Sequence, residues 1–261
     1  MESLLVERSD GVVTCTLNRP EKKNAITNEM WVGLIDLFEE VAVNPDDRVL
    51  VITGAGDGFC SGADLGDGGS AQDATGAGSA LAGMRNVGRA ALGLHDLAKP
   101  TIAAVNGVAA GAGLNLALGC DLVVASDRAR FSEIFAKRGL VIDFGGSWLL
   151  PRLIGMHRAK ELVLLADVID ATEAERIGLV NRVVDHELLG ASVRELAARL
   201  ANMAPLALAA SKRLLNQSLA VSMAEAIEAE NTAQALMAST RDTAEAILAF
   251  FERREPRFSG S

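Results

Sequence analysis

The spacing of hydrophobic positions changes several times along the chain, and each change predicts an element. LLVERSDGVVTCTLNRP holds two short strand-like runs on either side of Asp10-Gly11, a dipeptide suited to a tight hairpin turn. From Asn28 the spacing becomes helical: Met30, Leu34, Leu37, Phe38 and Val41 fall on one face of NEMWVGLIDLFEEVAV. RVLVITGAG and TIAAVNG are apolar runs that end in glycine, and together with DLVVASD they predict three buried strands. LAGMRNVGRAALGLHDL predicts a helix that stops before Lys99-Pro100, and AGAGLNLALG a short one. Residues 66–80, GDGGSAQDATGAGSA, are small and polar and predict a mobile loop.

After Pro151 the character shifts. Residues 157–261 are rich in Ala, Leu, Glu and Arg at helical spacing and show no convincing strand. One helix is expected from each of the segments beginning near Asp185, Pro205, Ser222 and Thr240. Alternating strands and helices followed by a helical tail predict an α/β protein with a helical C-terminal subdomain. The division is drawn as a core over residues 1–200 and an oligomerisation subdomain over 201–261. Apolar residues occupy more than one face of SMAEAIEAENTAQALMAS, so the tail is expected to pack on a second copy.

A chain of 261 residues can bury a sizeable core. Lys and Arg number 25 against 34 Asp and Glu, a net charge of −9, which argues against a nucleic-acid binder that needs a basic face. A local patch can still hold an anionic ligand. Cys15, Cys60 and Cys120 are far apart and share no metal-ligand spacing with His95, His157 or His186, so buried thiols and no metal or redox cofactor are expected. No signal-like segment opens the chain and no apolar run is long enough to span a bilayer. A cytoplasmic protein without membrane association is the expectation.

Two glycine-rich constellations stand out, VITGAGDGFCSGADL (51–65) and AAVNGVAAGAGLNLALGCDLVVAS (103–126). Each carries a buried strand into a turn that opens towards a helix, where backbone N–H groups can face an anion. A dinucleotide fingerprint fails because Leu116 stands where a third glycine is required after Gly111-Ala112-Gly113, and no P-loop pattern occurs. On spacing alone these glycines read either as plain turns or as a ligand site.

FCSGADL and AVNGVAAGAGLNLALGCD together resemble the two signature segments of the enoyl-CoA hydratase/isomerase (crotonase) superfamily. LNRPEKKNAI is similar to its acyl-CoA-binding loop, and GGSWLLPRLIG with ATEAERIGLVNRVV extends the likeness over most of the chain. The resemblance implies a crotonase-like (ββα) superhelix core that binds an acyl-CoA thioester, and a helical C-terminal trimerisation subdomain. It also implies homotrimers or dimers of trimers, and no cofactor apart from the coenzyme A of the substrate. An oxyanion hole is implied at the backbone N–H groups of Ala63 and Ala112, which would hold the charge that develops on a thioester oxygen. Ala112 stands where the family usually has glycine. Lys22, Asn24, Ala25, Asp64 and Leu65 are implied along the CoA path.

Hydratases of the superfamily carry two glutamates that activate water and deliver a proton. The matching positions here hold Asn115 and Phe135. Glu133, two residues before Phe135, is either a substitute acid or a solvated strand-end residue. GLVIDFGGSWLLPRL instead resembles the single-aspartate isomerase branch, that of epoxyphenylacetyl-CoA and 3-enoyl-CoA isomerases, and the working carboxylate maps onto Asp143. This implies migration of a double bond from a 3-enoyl-CoA to a 2-enoyl-CoA, with hydration weak or absent. Asn115 would be a polar neighbour, Phe135 would fill the space of the hydratase water, and Trp148 would line the acyl pocket or sit in a helix core. The other reading of Asp143 is a cap on a helix starting at Gly145. An atypical hydratase, an epoxide or ring isomerase, and a non-catalytic acyl-CoA binder stay open beside it.

Overall fold

The computed structural model describes residues 2–64, 66 and 77–261. Leu65 and most of the loop expected over 66–80 lie outside the described residues. The opening hairpin is present: β1 (Leu4–Ser9) and β2 (Val12–Leu17) pair antiparallel across Asp10 and Gly11, both at positive φ. α1 (Asn28–Val43) follows, its first turn capped by the Thr27 side chain, which accepts from the Met30 amide. Its buried face is the expected one, Met30, Leu34, Leu37, Phe38 and Val41 among it.

From there a unit repeats three times. A strand of one sheet is followed by a three-residue strand of another, and then by a helix. The first repeat is β3 (Val49–Gly54), β4 (Gly58–Cys60) and α2 (Ala77–Asp96). The second is β5 (Thr101–Val105), β6 (Val108–Ala110) and α3 (Ala112–Leu118). The third is β7 (Leu122–Ser126), β8 (Arg130–Ser132) and, after a 3-10 turn at Ile134–Arg138, α4 (Gly146–Ile154). The chain continues through α5 (Met156–Leu165), β9 (Ile169–Asp170), α6 (Ala171–Arg176) and β10 (Arg182–Val184). It ends with α7 (Leu189–Ala201), α8 (Pro205–Gln217), α9 (Met223–Met237) and α10 (Arg241–Glu252).

The larger sheet runs β1-β2-β3-β5-β7-β10 and the smaller β4-β6-β8-β9. Strands β2, β3, β5, β7 and β10 are parallel, and the central three, β3, β5 and β7, are buried on both sides, which is why their sequences read as apolar runs rather than alternating ones. The pleat sorts them. Leu50 and Ile52 of β3 join the main core with α1 and α3, while Val49 and Val51 meet Leu189, Val193 and Ala197 of α7 on the other face. Strands β9 and β10 correct the expectation of an all-helical second half. At two and three residues they are too short to impose a period on the sequence. The helices expected near Pro205, Ser222 and Thr240 are α8, α9 and α10, the last two capped by those very hydroxyls. Among the described residues no helix is long and apolar enough to cross a membrane.

The two sheets are joined tightly where α3 begins. A Cβ at Gly113 would collide with the Cys60 carbonyl at the end of β4. Gly62, at φ 102°, brings the following turn beside Ala110 and Ala112. Replacing Gly113 by alanine is therefore expected to destabilise the fold by about 1–3 kcal/mol through overpacking. Ala112→Gly, one residue away, is expected to cost no more than about 1 kcal/mol of helix propensity. Urea midpoints measured at constant m separate the two.

Candidate active site

The joint presents two backbone donors. Ile26 donates to the Gly62 carbonyl (2.8 Å) and accepts from the Asp64 amide (2.9 Å), a parallel bridge centred on Ala63. In such a bridge the central residue's own N–H points away from the partner chain, so the Ala63 amide faces the opposite side. Ala112 is the first residue of α3, where an amide has no partner within the helix. Its φ is helical, so the methyl brings no backbone strain. Glycine is required instead at Gly111 (φ 54°), which precedes it, and at Gly113. Ala63 is exposed and Ala112 buried, and Gly62 brings the two turns together, a Cβ there lying 3.7 Å from the Ala112 nitrogen.

Phe135 packs beside this turn: its ring lies about 3.5 Å from where a Gly111 Cβ would stand. The chain then bends at Asp143. The Asp143 carbonyl accepts from the Gly146 amide (2.9 Å), while Phe144 and Gly145 both have positive φ, as in a type I′ turn. Phe144 is buried and packs on Trp31 of α1 at 5.3 Å between ring centroids. A bulky residue in this conformation costs about 1–3 kcal/mol, and such strain concentrates at functional sites. The turn does not cap a helix with its carboxylate. α4 starts at Gly146 without a side-chain cap, and one Asp143 carboxylate oxygen is buried with no hydrogen-bond partner.

Asn115 links the pieces. Fully buried in α3, it donates from Nδ2 to the Asp143 carbonyl (3.0 Å) and, more weakly, to Oε2 of Glu133 (3.5 Å). A Cβ at Gly146 would occupy the same space as the Asn115 side chain. Glu133 is the residue that sequence reasoning undervalued. It lies just past the end of β8, at the head of the 3-10 turn, so strand parity does not govern it, and it is fully buried rather than solvated. Oε1 of Glu133, Oδ1 of Asn115 and Oδ1 of Asp143 are all buried and unpartnered, each at a general cost of about 1–3 kcal/mol. Desolvation pushes the Asp143 carboxyl up to about 6. Desolvation and then the Asp143 charge push Glu133 up to about 8, against a smaller opposing effect of the Asn115 hydrogen bond.

The residues expected along a CoA path have varied settings. Lys22 is exposed, and its carbonyl accepts from Ser61. Asn24 is fully buried at φ 57°, its side chain accepting from the Arg19 amide and donating to the Ala55 and Gly58 carbonyls. That side chain ties loops together, leaving only its backbone to meet a ligand. The Ala25 carbonyl accepts from the Arg19 guanidinium, which also pairs with Asp64 at 2.8 Å. The Gly66 amide and Arg19 hold the Asp64 carboxyl below its ordinary range. Trp148 belongs to no helix core. It is 38% exposed, edge-on to His95 and covered by the Arg152 guanidinium at 3.9 Å. Among the described residues no cluster of His, Cys, Asp or Glu could hold a metal ion.

Both raised carboxyls bind their protons more tightly folded than unfolded. Stability from these groups is complete below about pH 4 and is lost as pH rises through about 6 for Asp143 and about 8 for Glu133. Wild type should therefore lose on the order of 3 kcal/mol between pH 5 and pH 9, whereas the Glu133→Gln/Asp143→Asn double variant should not. Urea titrations at the two pH values test this, and an equal fall in both proteins would contradict it.

The enoyl-CoA hydratase/isomerase family pattern matches residues 7–261. The chain is 40% identical to the 1,2-epoxyphenylacetyl-CoA isomerase of Escherichia coli K12, over all of this chain and 99% of that one. It is 38% identical to the 2,3-dehydroadipyl-CoA hydratase of the same organism, over the full length of both. Among solved structures it is similar to a putative enoyl-CoA hydratase from Streptomyces coelicolor A3(2), with TM-score 0.95 and 40% identity, over all of this chain and 95% of the other. The fold of repeated strand–strand–helix units is shared with that structure, and the chain belongs to the enoyl-CoA hydratase/isomerase family of acyl-CoA enzymes.

Proposed function

We propose that the protein moves the double bond of a 3-enoyl-CoA into conjugation with its thioester, with Asp143 as the proton-transferring base. The observation that carries this reading is the unpartnered, buried oxygen of Asp143 on a strained turn, tied through Asn115 to the helix that begins with Ala112. Removing a C2 proton places negative charge on the thioester oxygen, and the Ala63 and Ala112 amides are the donors that would receive it. An aspartate raised to about 6 is a stronger base than a solvated one and is still ionised at neutral pH. The dienolate then takes a proton at C4. No water is consumed, and the CoA of the substrate is the only coenzyme required.

Hydration is the second reading. It is favoured by the presence of two carboxyls, Glu133 and Asp143, beside Asn115 although the hydratase glutamate positions hold Asn115 and Phe135, and by hydratases among the relatives. A paired assay with 3-enoyl-CoA and 2-enoyl-CoA of matched length separates the two. Isomerisation is expected, with kcat/KM falling below about pH 6 as Asp143 is protonated, and kcat lowered about 10²–10⁴-fold in Asp143→Asn. Hydration that survives this substitution would overturn the proposal.

We also propose a homotrimer, or a pair of trimers, assembled through the helical tail. Leu215, Leu219, Met223, Phe250 and Phe251 of α8 to α10 and the turn after α8 are each at least two-thirds exposed. Light scattering is expected to give three or six times the chain mass of 27.3 kDa, and a monomer at micromolar concentration would refute the assembly.

A further inference from the structure

We infer that Glu133 is the second proton-carrying group of the site, delivering from its protonated form the proton that the acyl chain gains while Asp143 removes the one it loses. The inference rests on the double-bond migration proposed above and goes beyond it, since one aspartate would otherwise have to perform both transfers.

Three elements bring the groups together. Asn115 comes from α3, Glu133 from the head of the 3-10 turn, and Asp143 from the turn before α4. Each leaves a buried oxygen without a partner, as a site does when its polar atoms are meant for a ligand. Glu133 has no structural task that would explain it. Among the described residues it caps nothing, pairs with no cation, and makes one side-chain hydrogen bond, the 3.5 Å bond from Asn115. Lys137, four residues on, is directed elsewhere, to the Ala166 carbonyl and Asp167. Asp143 is the one charged group that acts on Glu133, and it favours the protonated form. Two interacting carboxyls that carry one proton between them form an acid and a base.

The balance closes without a co-reactant. The Asp143 carboxylate takes a proton from C2, and the C–H electron pair becomes part of the dienolate. The terminal carbon of that dienolate, C4, takes the proton of the Glu133 carboxyl, leaving Glu133 as the anion. Transfer of the proton now on Asp143 back to Glu133 restores the starting pair, with one proton shared and one negative charge.

The test follows the label first and needs no variant. Wild type is given a 3-enoyl-CoA deuterated at C2 in ordinary water, under single-turnover conditions. Protium at C4 is expected, because Glu133 enters the turnover carrying a solvent-derived proton; deuterium mostly retained at C4 would overturn the role of Glu133. The Glu133→Gln variant is then expected to lose about 10²–10³-fold in kcat at little change in KM. It should also lose the decline in rate that wild type shows above about pH 8. An unchanged kcat with an unchanged alkaline limb would refute the inference by itself. If wild type fails to isomerise the 3-enoyl ester at all, the underlying function is wrong instead. If Glu133→Gln does not fold, the label in wild type decides alone.

Discussion

The first turn of α3 lies directly against the end of β4, and the site depends on that approach. The contact admits no side chain at position 113 and needs a left-handed backbone at Gly62. Once it is made, the turns that carry Ala63 and Ala112 lie side by side although the two residues are about fifty positions apart in sequence. Neither donor is a side chain, so what selection has to keep is backbone geometry, which explains why an alanine is accepted at 112. Its methyl is tolerated because the constraints fall on its neighbours, a positive φ at Gly111 and a close contact at Gly113.

Desolvation does the rest. Asn115 continues the same short helix into the interior, and Glu133 and Asp143 meet it there with no neutralising cation among the described residues. In a low-dielectric setting two adjacent carboxyls resist ionising together, so the more deeply buried one keeps its proton. The stability lost by burying unpartnered oxygens is what makes one group basic and the other acidic near neutral pH. Cys60 shows the same physics without the chemistry. Burial pushes its thiol up to about 12, and with no solvent access it is an inert part of the joint.

Legibility in the sequence followed element length and partner distance. The parallel strands β3, β5 and β7 and the helix α1 were readable because each is long enough to show a period or an apolar run. The second sheet was not: GFC, VAA and RFS are three residues each, and their pairing is set by contacts far along the chain. Asp143 drew attention as a charge in an apolar run, and only the structure removed the alternative of a helix cap. Glu133 was misjudged because strand ends are usually wet, whereas α3 and the Asp143 turn close over this one. The surface position of Trp148 depends on His95, over fifty residues earlier, which no local pattern reveals.

The strain at Phe144 connects the site to the main core. A phenylalanine at φ 48° persists only if something holds it, and the ring contact with Trp31 is the evident restraint. Trp31 itself lies in the first turns of α1, where Thr27 caps the helix and Met30 and Leu34 anchor it. The direction of the Asp143 carboxyl is thus determined from two sides. Asn115 holds its carbonyl from α3, and Phe144 fixes the following peptide from α1. A turn fixed by two separate helices keeps little freedom of its own, so the placement of Asp143 is settled during folding. Phe135, packed against the Gly111 turn, adds an apolar wall beside the same helix start, so the turn that carries Ala112 is held by contacts from the third repeat as well as from β4.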